Sequence, residues 1–353
     1  MINLKEFSKV GIVGYGAYVP AFRLTVDEVC QTWGKSAEQV ISSLGVNQKA
    51  VAGQDEDCLT MAVEASLTAL KMSGLKPDKI GACFIGSESF SYSVKPTSTT
   101  LAQILGFSND YFCADLQFAC KAATAGLQIV AAMIESGMID YGLVVGADKS
   151  QSRPGDALEY TAASAAVAFV LGGKPKEWLA SLLHTSSYCS DTPDFWRRSG
   201  QKFPSHTGRF TGEPAYFNHI ITCSGVFLKK TGKKASDFNW AVFHSPNKKF
   251  PTKAAKMLGF NGDQMKYSLL VENIGNPYSA STLVSLVNVL DHANSRERIF
   301  MTSYGSGAGS DSFVWKTTKN LAKAQNKKEK LIDQLKKTKE IFYSQYLQKM
   351  EVL

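Results

Sequence analysis

The chain has 353 residues, 44% of them hydrophobic and 20% charged, a balance typical of folded proteins that excludes a disordered chain. At ~150 residues per domain, this length allows two domains or one large duplicated domain. The net charge is +8, and most of it is in residues 316–353, which contain ten lysines and four acidic residues. A nucleic-acid-binding surface along the whole chain is therefore excluded. We expect no membrane span, because no apolar run reaches ~18 residues, and no secretory signal.

Short apolar segments bounded by glycines alternate with helical patterns along the first half of the chain. In chain order, the patterns predict a strand, a helix, a strand, two helices and a strand at residues 10–13, 59–72, 80–85, 96–105, 119–135 and 141–145. This alternation indicates an α/β protein.

The second half repeats this arrangement at a constant offset of 156 residues. The offset relates strand 82–86 to 238–242, Glu88 to His244, Cys120 to Asn276, and strand 143–148 to 299–304. Four elements on one offset indicate an internal duplication, although the two segments share little residue identity. We therefore predict halves at residues 1–173 and 174–318, with an insertion at 190–219 in the second half and a basic tail at 319–353.

The insertion and the tail each have two interpretations. The insertion, which includes Arg209, is polar, aromatic and rich in turns; it is either a surface loop or a substrate-contacting lid, and its length favours substrate contact. The tail predicts an amphipathic helix from about Lys327. Its apolar face would hold Leu331, Leu335, Phe342, Tyr346 and Met350. We favour a helix docked on the body over a nucleic-acid-binding one, because no base-stacking pattern accompanies the lysines.

The seven cysteines are an odd number and include no CxxC pair. They therefore indicate free thiols in a reducing, cytoplasmic compartment. The histidines have no metal-ligand spacing, so we predict no metal.

Cys120 differs from the other cysteines in its context. It precedes a predicted helix of small residues, where free N–H groups and the helix dipole favour a thiolate, and Lys121 adds a nearby positive charge. A thiolate is a competent nucleophile for acyl transfer. A buried cysteine packed against small neighbours explains the same context equally well.

Three polar residues stand at positions comparable to that of Cys120. Glu88 and His244 follow predicted strands, and Asn276 precedes an apolar helix. Taken singly, these residues also fit a solvated turn, a structural histidine and a helix cap. The duplication places all four at equivalent ends of two similar halves, which predicts one cleft that holds a thiol, a base, an imidazole and an amide.

Two glycine-rich stretches do not match nucleotide-binding motifs. Residues 11–16 are not GxGxxG, and 305–311 lack the lysine of a P-loop. The second stretch either offers backbone N–H groups to a thioester oxygen or forms a tight loop.

Ten motifs together resemble the archaeal type of hydroxymethylglutaryl-CoA synthase, within the thiolase superfamily, along the whole chain. They are GIVGYGAYVP (11–20), GSES (86–89), KPTS (95–98), FACK (118–121), GDALEYT (155–161), DTPDFWR (191–197), GRFTGEP (208–214), FHSPN (243–247), NIGN (273–276) and SYGSGAGS (303–310).

The resemblance implies a five-layer αβαβα fold made of two duplicated halves, and a homodimer. It implies that Cys120 carries the acyl group, that Glu88 is the general acid and base, and that His244 binds the acetoacetyl thioester. The substrate-binding residues that it implies, with Arg209 added from the insertion, are Thr161, Asn276, Ser306, Lys249, Lys253 and Arg209. Lys253 stands where an arginine is usual, which puts its contact with a CoA phosphate in doubt. Lys248 and the run 163–166 also depart from the family pattern.

By the same resemblance, the substrates are acetyl-CoA and acetoacetyl-CoA, no further cofactor is needed, and the product enters the mevalonate pathway of isoprenoid biosynthesis. A thiolase and a small OB-fold zinc protein are implied partners. Two alternatives remain: a decarboxylating ketoacyl synthase, which would not need Glu88, and a non-catalytic scaffold that passes acetoacetyl-CoA from a thiolase.

Overall fold

A computed structural model describes residues 4–150, 152–327 and 329–351, and of Arg209 only the backbone. Its strands are β1 (Lys5–Glu6), β2 (Gly11–Tyr18), β3 (Phe22–Thr25), β4 (Gln48–Val51), β5 (Ala82–Gly86), β6 (Phe112–Leu116), β7 (Tyr141–Lys149), β8 (Ser164–Gly172), β9 (Ala180–Cys189), β10 (Phe195–Trp196), β11 (Ser205–His206), β12 (Trp240–Phe243), β13 (Arg298–Gly305), β14 (Gly309–Thr317) and β15 (Lys339–Glu340). Its helices are α1 (Val26–Trp33), α2 (Ala37–Leu44), α3 (Cys58–Ser73), α4 (Thr97–Leu105), α5 (Ala122–Glu135), α6 (Phe217–Thr231), α7 (Lys249–Met257), α8 (Gly262–Met265), α9 (Val271–Ile274), α10 (Ser281–Leu290), α11 (Leu321–Gln325), α12 (Leu331–Gln334) and α13 (Tyr343–Lys349). None of these helices is long and apolar enough to cross a bilayer.

Four strands of each half follow the same order, and β6 is an additional edge strand of the first half. In the first half the order is β6-β5-β7-β8-β2, in which β5 is parallel to β6 and β7, and β8 is antiparallel to β7 and β2. In the second half the order is β12-β13-β14-β9, with β12 parallel to β13 and β14 antiparallel to both its neighbours. A short pairing of β2 with β9 joins the two sheets. The common order confirms the predicted duplication of the fold.

The helices complete five layers. α3 and α4 cover the outer face of the first sheet, and α6 covers the outer face of the second. α5 and α10 lie between the sheets, and α10 contacts strands of both. All ten residues of α10 are buried, because a helix enclosed by two sheets has no solvent-facing side. The predicted αβαβα class is confirmed, while the boundary at residues 173/174 stays a prediction.

Two glycines let strand ends approach the start of α5 and the loop that precedes it. A Cβ on Gly86, at the end of β5, would collide with the backbone nitrogen of Ala123. A Cβ on Gly305, at the end of β13, would lie 2.6 Å from the carbonyl oxygen of Phe118. One of these strands belongs to each half. The absence of side chains at the two glycines therefore lets both halves pack against residues 118–123.

The tail differs from the predicted single amphipathic helix. It consists of the short helices α11, α12 and α13, with β15 pairing in parallel with β3. Leu331, Tyr346 and Met350 are buried as expected, but they belong to separate elements, and Phe342 is 69% exposed. Tertiary contacts override the helical pattern here: the Leu331 N–H donates to the buried Asp291 carboxylate (2.9 Å), and β15 extends an existing sheet.

We expect Gly86→Ala to destabilise the protein by about 1–3 kcal/mol, because the added methyl group overpacks a backbone contact. The matched control is Gly225→Ala inside α6, where a Cβ meets nothing within 4 Å and the helix gains roughly 0.5–1 kcal/mol. Urea unfolding of the two variants measures the difference. Equal stability of Gly86→Ala and the wild type would show that the approach is not tight.

Candidate active site

Cys120 lies on a strained turn between β6 and α5. The preceding residue, Ala119, has φ = 44°, a left-handed conformation that is costly for a residue with a Cβ. The thiol is 4% exposed, and its Sγ donates a hydrogen bond to Oε1 of Glu88 at 3.0 Å. The structure therefore brings together the two residues predicted as nucleophile and base.

Glu88 is held at the end of β5 through its backbone. Its N–H donates to Oδ1 of Asp148 (2.8 Å), and its carbonyl oxygen accepts from the Arg197 guanidinium (2.8 Å). Arg197 belongs to the predicted insertion, so this segment lies over the Cys120–Glu88 pair.

Asp148 organises the Glu88 loop, and the sequence analysis assigned it no role. Its fully buried carboxylate accepts hydrogen bonds from the Ser87 and Ser89 hydroxyls and from the backbone N–H groups of Glu88 and Ser279. The available signal was an aspartate at the end of a buried strand, β7, next to the strand that leads to Glu88. A carboxylate with this many partners fixes the loop geometry.

Burial controls the protonation of this pair. It raises the pKa of Glu88 to about 8, with a further contribution from the negative charge of Asp148. Burial and the Glu88 carboxylate also raise the pKa of the Cys120 thiol well above its ordinary value. Below the pKa of Glu88 the resting site therefore holds a neutral thiol beside a neutral acid, and ionised Glu88 is the acceptor for the thiol proton.

Lys121 does not place its positive charge at Cys120. The Lys121 ammonium lies 3.0 Å from the Asp311 carboxylate, with both side chains buried, and over the ring of Phe118. Because Asp311 balances its charge, Lys121 joins the two halves instead of stabilising an anion at Cys120.

His244 is buried at the end of β12. Its carbonyl oxygen accepts from the Tyr216 hydroxyl (2.7 Å), and Nδ1 lies 3.4 Å from the Thr282 hydroxyl. Its ring lies 6.1 Å from that of Tyr304, whose pKa is raised by burial and by Asp194. Burial lowers the pKa of His244 to about 3. The imidazole is therefore neutral at physiological pH and suited to hydrogen bonding.

Asn276 and Thr161 are joined by a backbone bridge. The Asn276 N–H donates to the Thr161 carbonyl (2.7 Å), and the Asn276 carbonyl accepts from the Ala163 N–H. Ala162, which bridges Asn276, packs in one apolar cluster with Cys120 and Tyr278. Thr161 and Asn276 are therefore close in sequence to residues that pack against the nucleophile.

The other predicted substrate residues are distributed around the site. Ser306 lines a cavity of about 490 Å³ together with Phe118 and Ala119. Lys249 and Lys253 line a separate, mainly apolar cavity of about 990 Å³, where the Lys253 ammonium pairs with Glu213 at 2.6 Å. The Arg209 side chain lies outside the described residues.

A thiol and a carboxyl that meet between two duplicated halves define a thiolase-like protein of the acyl-condensing class. The chain matches two family models: "Hydroxymethylglutaryl-coenzyme A synthase N terminal" over residues 7–176 and "3-Oxoacyl-[acyl-carrier-protein (ACP)] synthase III C terminal" over residues 228–317.

Curated relatives extend the match across most of the chain. A hydroxymethylglutaryl-CoA synthase of Archaeoglobus fulgidus is 53% identical, with 88% of this chain and 89% of the relative covered. One of Methanococcus vannielii is 47% identical, with 96% and 97% covered. This chain belongs to the hydroxymethylglutaryl-CoA synthase family.

Solved structures agree on the fold. A hydroxymethylglutaryl-CoA synthase complexed with CoA has a TM-score of 0.87 at 22% identity, covering 96% of this chain and 89% of its own. A 3-oxoacyl-(acyl carrier protein) synthase III of Pseudomonas aeruginosa has a TM-score of 0.79 at 21% identity, covering 88% and 99%. These likenesses confirm the thiolase-like fold.

We expect the rate of alkylation of Cys120 by iodoacetamide to rise with pH, with the midpoint of the rise at about pH 8, because only ionised Glu88 accepts the thiol proton. Glu88→Gln keeps a hydrogen-bond acceptor but removes the base, so this midpoint should disappear. Peptide mass spectrometry follows Cys120, and the exposed Cys189 is the internal control. A midpoint that survives in Glu88→Gln would contradict the coupling.

Proposed function

We propose that this chain condenses acetyl-CoA with acetoacetyl-CoA and water to give 3-hydroxy-3-methylglutaryl-CoA and free CoA. The product would enter the mevalonate pathway of isoprenoid biosynthesis. The observation that carries the proposal is the 3.0 Å contact between the Cys120 thiol and the Glu88 carboxyl. The reaction needs a nucleophile to hold the acetyl group and a base beside that group, and this contact supplies both.

The first step is acetyl transfer to Cys120. Glu88 accepts the thiol proton as Sγ attacks the acetyl carbonyl, and the proton ends on the departing CoA sulfur. Because the thiol pKa is raised by burial, the thiolate forms only as the attack proceeds, when its charge passes to the acetyl carbonyl oxygen.

The second step is formation of the carbon–carbon bond. Glu88 removes a methyl proton from acetyl-Cys120, and the enolate carbon attacks the ketone of acetoacetyl-CoA. Neutral His244 and Asn276 hydrogen-bond the ketone oxygen as it gains charge. Glu88 then returns its proton to that oxygen, and water releases the product from Cys120.

The lysine-lined cavity is the proposed CoA site. Phe217, Phe250 and Phe260 provide apolar walls for the pantetheine arm. Lys249 provides a cation for the phosphates, and Lys253 would have to leave Glu213 to add a second. Thr161, Ser306 and the Arg209 side chain are proposed to contact substrate closer to the reacting atoms or along the insertion.

Two alternatives fit less well. A decarboxylating ketoacyl synthase matches the second family model but does not need the buried Glu88, which here contacts the nucleophile. A scaffold would not need a thiol and a carboxyl in hydrogen-bond contact. Product formation from malonyl thioesters would favour the first alternative, and an inactive protein that still binds a thiolase would favour the second.

We propose a homodimer assembled through β6. In the described part of the chain this strand pairs only with β5, so its outer backbone groups are open to pairing, and Phe112 at its start is 53% exposed. A second copy of the same edge would satisfy these groups.

The other partners and the location also stay proposals. A thiolase and the OB-fold zinc protein are the proposed protein partners, and a cytoplasmic location is supported by the free thiols of the cysteines. The absence of a further cofactor, of a metal, and of nucleic-acid or membrane partners stays a prediction.

We expect Glu88→Ala to lose condensation by roughly 10²–10⁴-fold, the usual contribution of a general acid–base group. The variant should still become acetylated at Cys120, more slowly, because acetyl transfer does not need the enolate. Intact mass after acetyl-CoA, followed by acetoacetyl-CoA, measures both steps. Glu64→Ala, on the outer helix α3, is the control for loss of a carboxyl. Normal condensation by Glu88→Ala would refute the assignment of the base.

A further inference from the structure

A second cavity, separate from the lysine-lined pocket, is lined in part by Glu88. Its volume is about 450 Å³, and Glu88, Tyr278, Ser150, Lys149 and Arg197 are among its lining residues. It shares no lining residue with the proposed CoA cavity. A CoA thioester that enters from the lysine side therefore leaves this space free.

Two buried hydroxyl groups in this cavity lack a partner. The Tyr278 hydroxyl and the Ser150 hydroxyl have no hydrogen bond within the described part of the chain, although these residues are only 5% and 4% exposed. Unsatisfied buried polar groups are rare in folded proteins and point to a water or ligand that satisfies them. Burial keeps the pKa of Tyr278 well above its ordinary value, so its hydroxyl remains a donor.

Arg197 and Lys149 have N–H groups without a hydrogen-bond acceptor among the described residues, whereas the Asp57 carboxylate already accepts hydrogen bonds. Arg197 uses one nitrogen on the Glu88 carbonyl and another on the Gln201 carbonyl at 3.4 Å, which leaves other N–H groups of its fork. Asp57 caps α3 and accepts from Ser91. The Lys149 ammonium makes one long contact, 3.5 Å to the Gly53 carbonyl. Lys202 and Glu351 also line the cavity, and the Lys202 ammonium donates to the Glu351 carbonyl oxygen. The hydroxyls of Tyr278 and Ser150, with the cations of Arg197 and Lys149, form a donor set that suits a carboxylate and a water molecule.

We propose that this cavity admits the water that hydrolyses the acyl–Cys120 thioester and binds the carboxylate that hydrolysis releases. The inference rests on the proposed function, in which the product acid is formed at Cys120, beside Glu88. Tyr278, Arg197 and Lys149 hold the carboxylate, and Ser150 binds the water.

The hydrolytic step balances with water alone. Glu88 takes one proton from water as the water oxygen bonds to the thioester carbon. The bond between that carbon and Sγ then breaks, and Glu88 returns the proton to the sulfur. The remaining proton ionises from the new acid, whose carboxylate is retained by the cations until the product leaves.

Tyr278→Phe is the sharpest test, because it removes a hydroxyl that bonds to nothing in the described chain and so should not disturb folding. In a Cys120→Ala background, we expect 3-hydroxy-3-methylglutaryl-CoA to bind about tenfold more weakly to Tyr278→Phe, and its methyl ester and CoA to bind unchanged. Isothermal titration measures the three ligands. Tyr92→Phe, exposed in the adjacent loop, is the matched control.

The charges are tested with Arg197→Met and Lys149→Gln, with Arg198→Met on the same hairpin as control because Arg198 does not line the cavity. In single turnover with active Cys120, we expect the adduct with the mass of acetyl-enzyme plus acetoacetyl-CoA to decay about ten- to hundredfold more slowly.

Equal weakening of acid and ester, or unchanged binding and adduct decay in all three variants, would overturn the inference. If the wild type forms no adduct, the proposed function fails, whereas the comparison of acid with ester still decides whether the cavity binds a carboxylate.

Discussion

The proposed chemistry of this protein depends on the hydrogen bond between Cys120 and Glu88, and burial sets the pKa values of both groups. In water a carboxyl of ordinary pKa would be a weak base at neutral pH. Between two sheets, and next to the Asp148 charge, the Glu88 pKa rises to about 8. The rest of the site serves this contact: Gly86 lets β5 approach α5, and Asp148 fixes the loop that carries Glu88.

The positions of the reactive groups could be predicted from the sequence, because a duplication is a periodic signal. Glu88, Cys120, His244 and Asn276 fall on one offset, and equivalent strand ends of two similar halves meet in the middle of the fold. Four strands of each sheet repeat the same order. Spacing along the chain thus predicted the repeated strand order and the meeting of Glu88 with Cys120, whereas the roles of the four residues stay predictions.

It failed where the outcome depends on partners distant in sequence. The charge of Lys121 is balanced by Asp311 from the other half, and the tail breaks into short elements because β3 and Asp291 offer better contacts than a continuous helix. Asp148 has no neighbour in sequence that identifies it as the residue holding the Glu88 loop. Such features follow from tertiary contacts, which amphipathic patterns and motifs do not encode.

Burial has opposite effects on the pKa values of Glu88 and His244. Loss of solvation raises the pKa of an acid and lowers that of a base, so Glu88 moves toward neutral pH and His244 moves away from it, to about 3. Glu88 can therefore both accept and donate a proton, whereas His244 stays a neutral imidazole and only forms a hydrogen bond to an oxygen. Every proton transfer in the proposed cycle then passes through one carboxyl. Glu88 contacts Cys120 and also lines the cavity of about 450 Å³. A single residue can therefore act in the attachment, the condensation and the release of the acyl group.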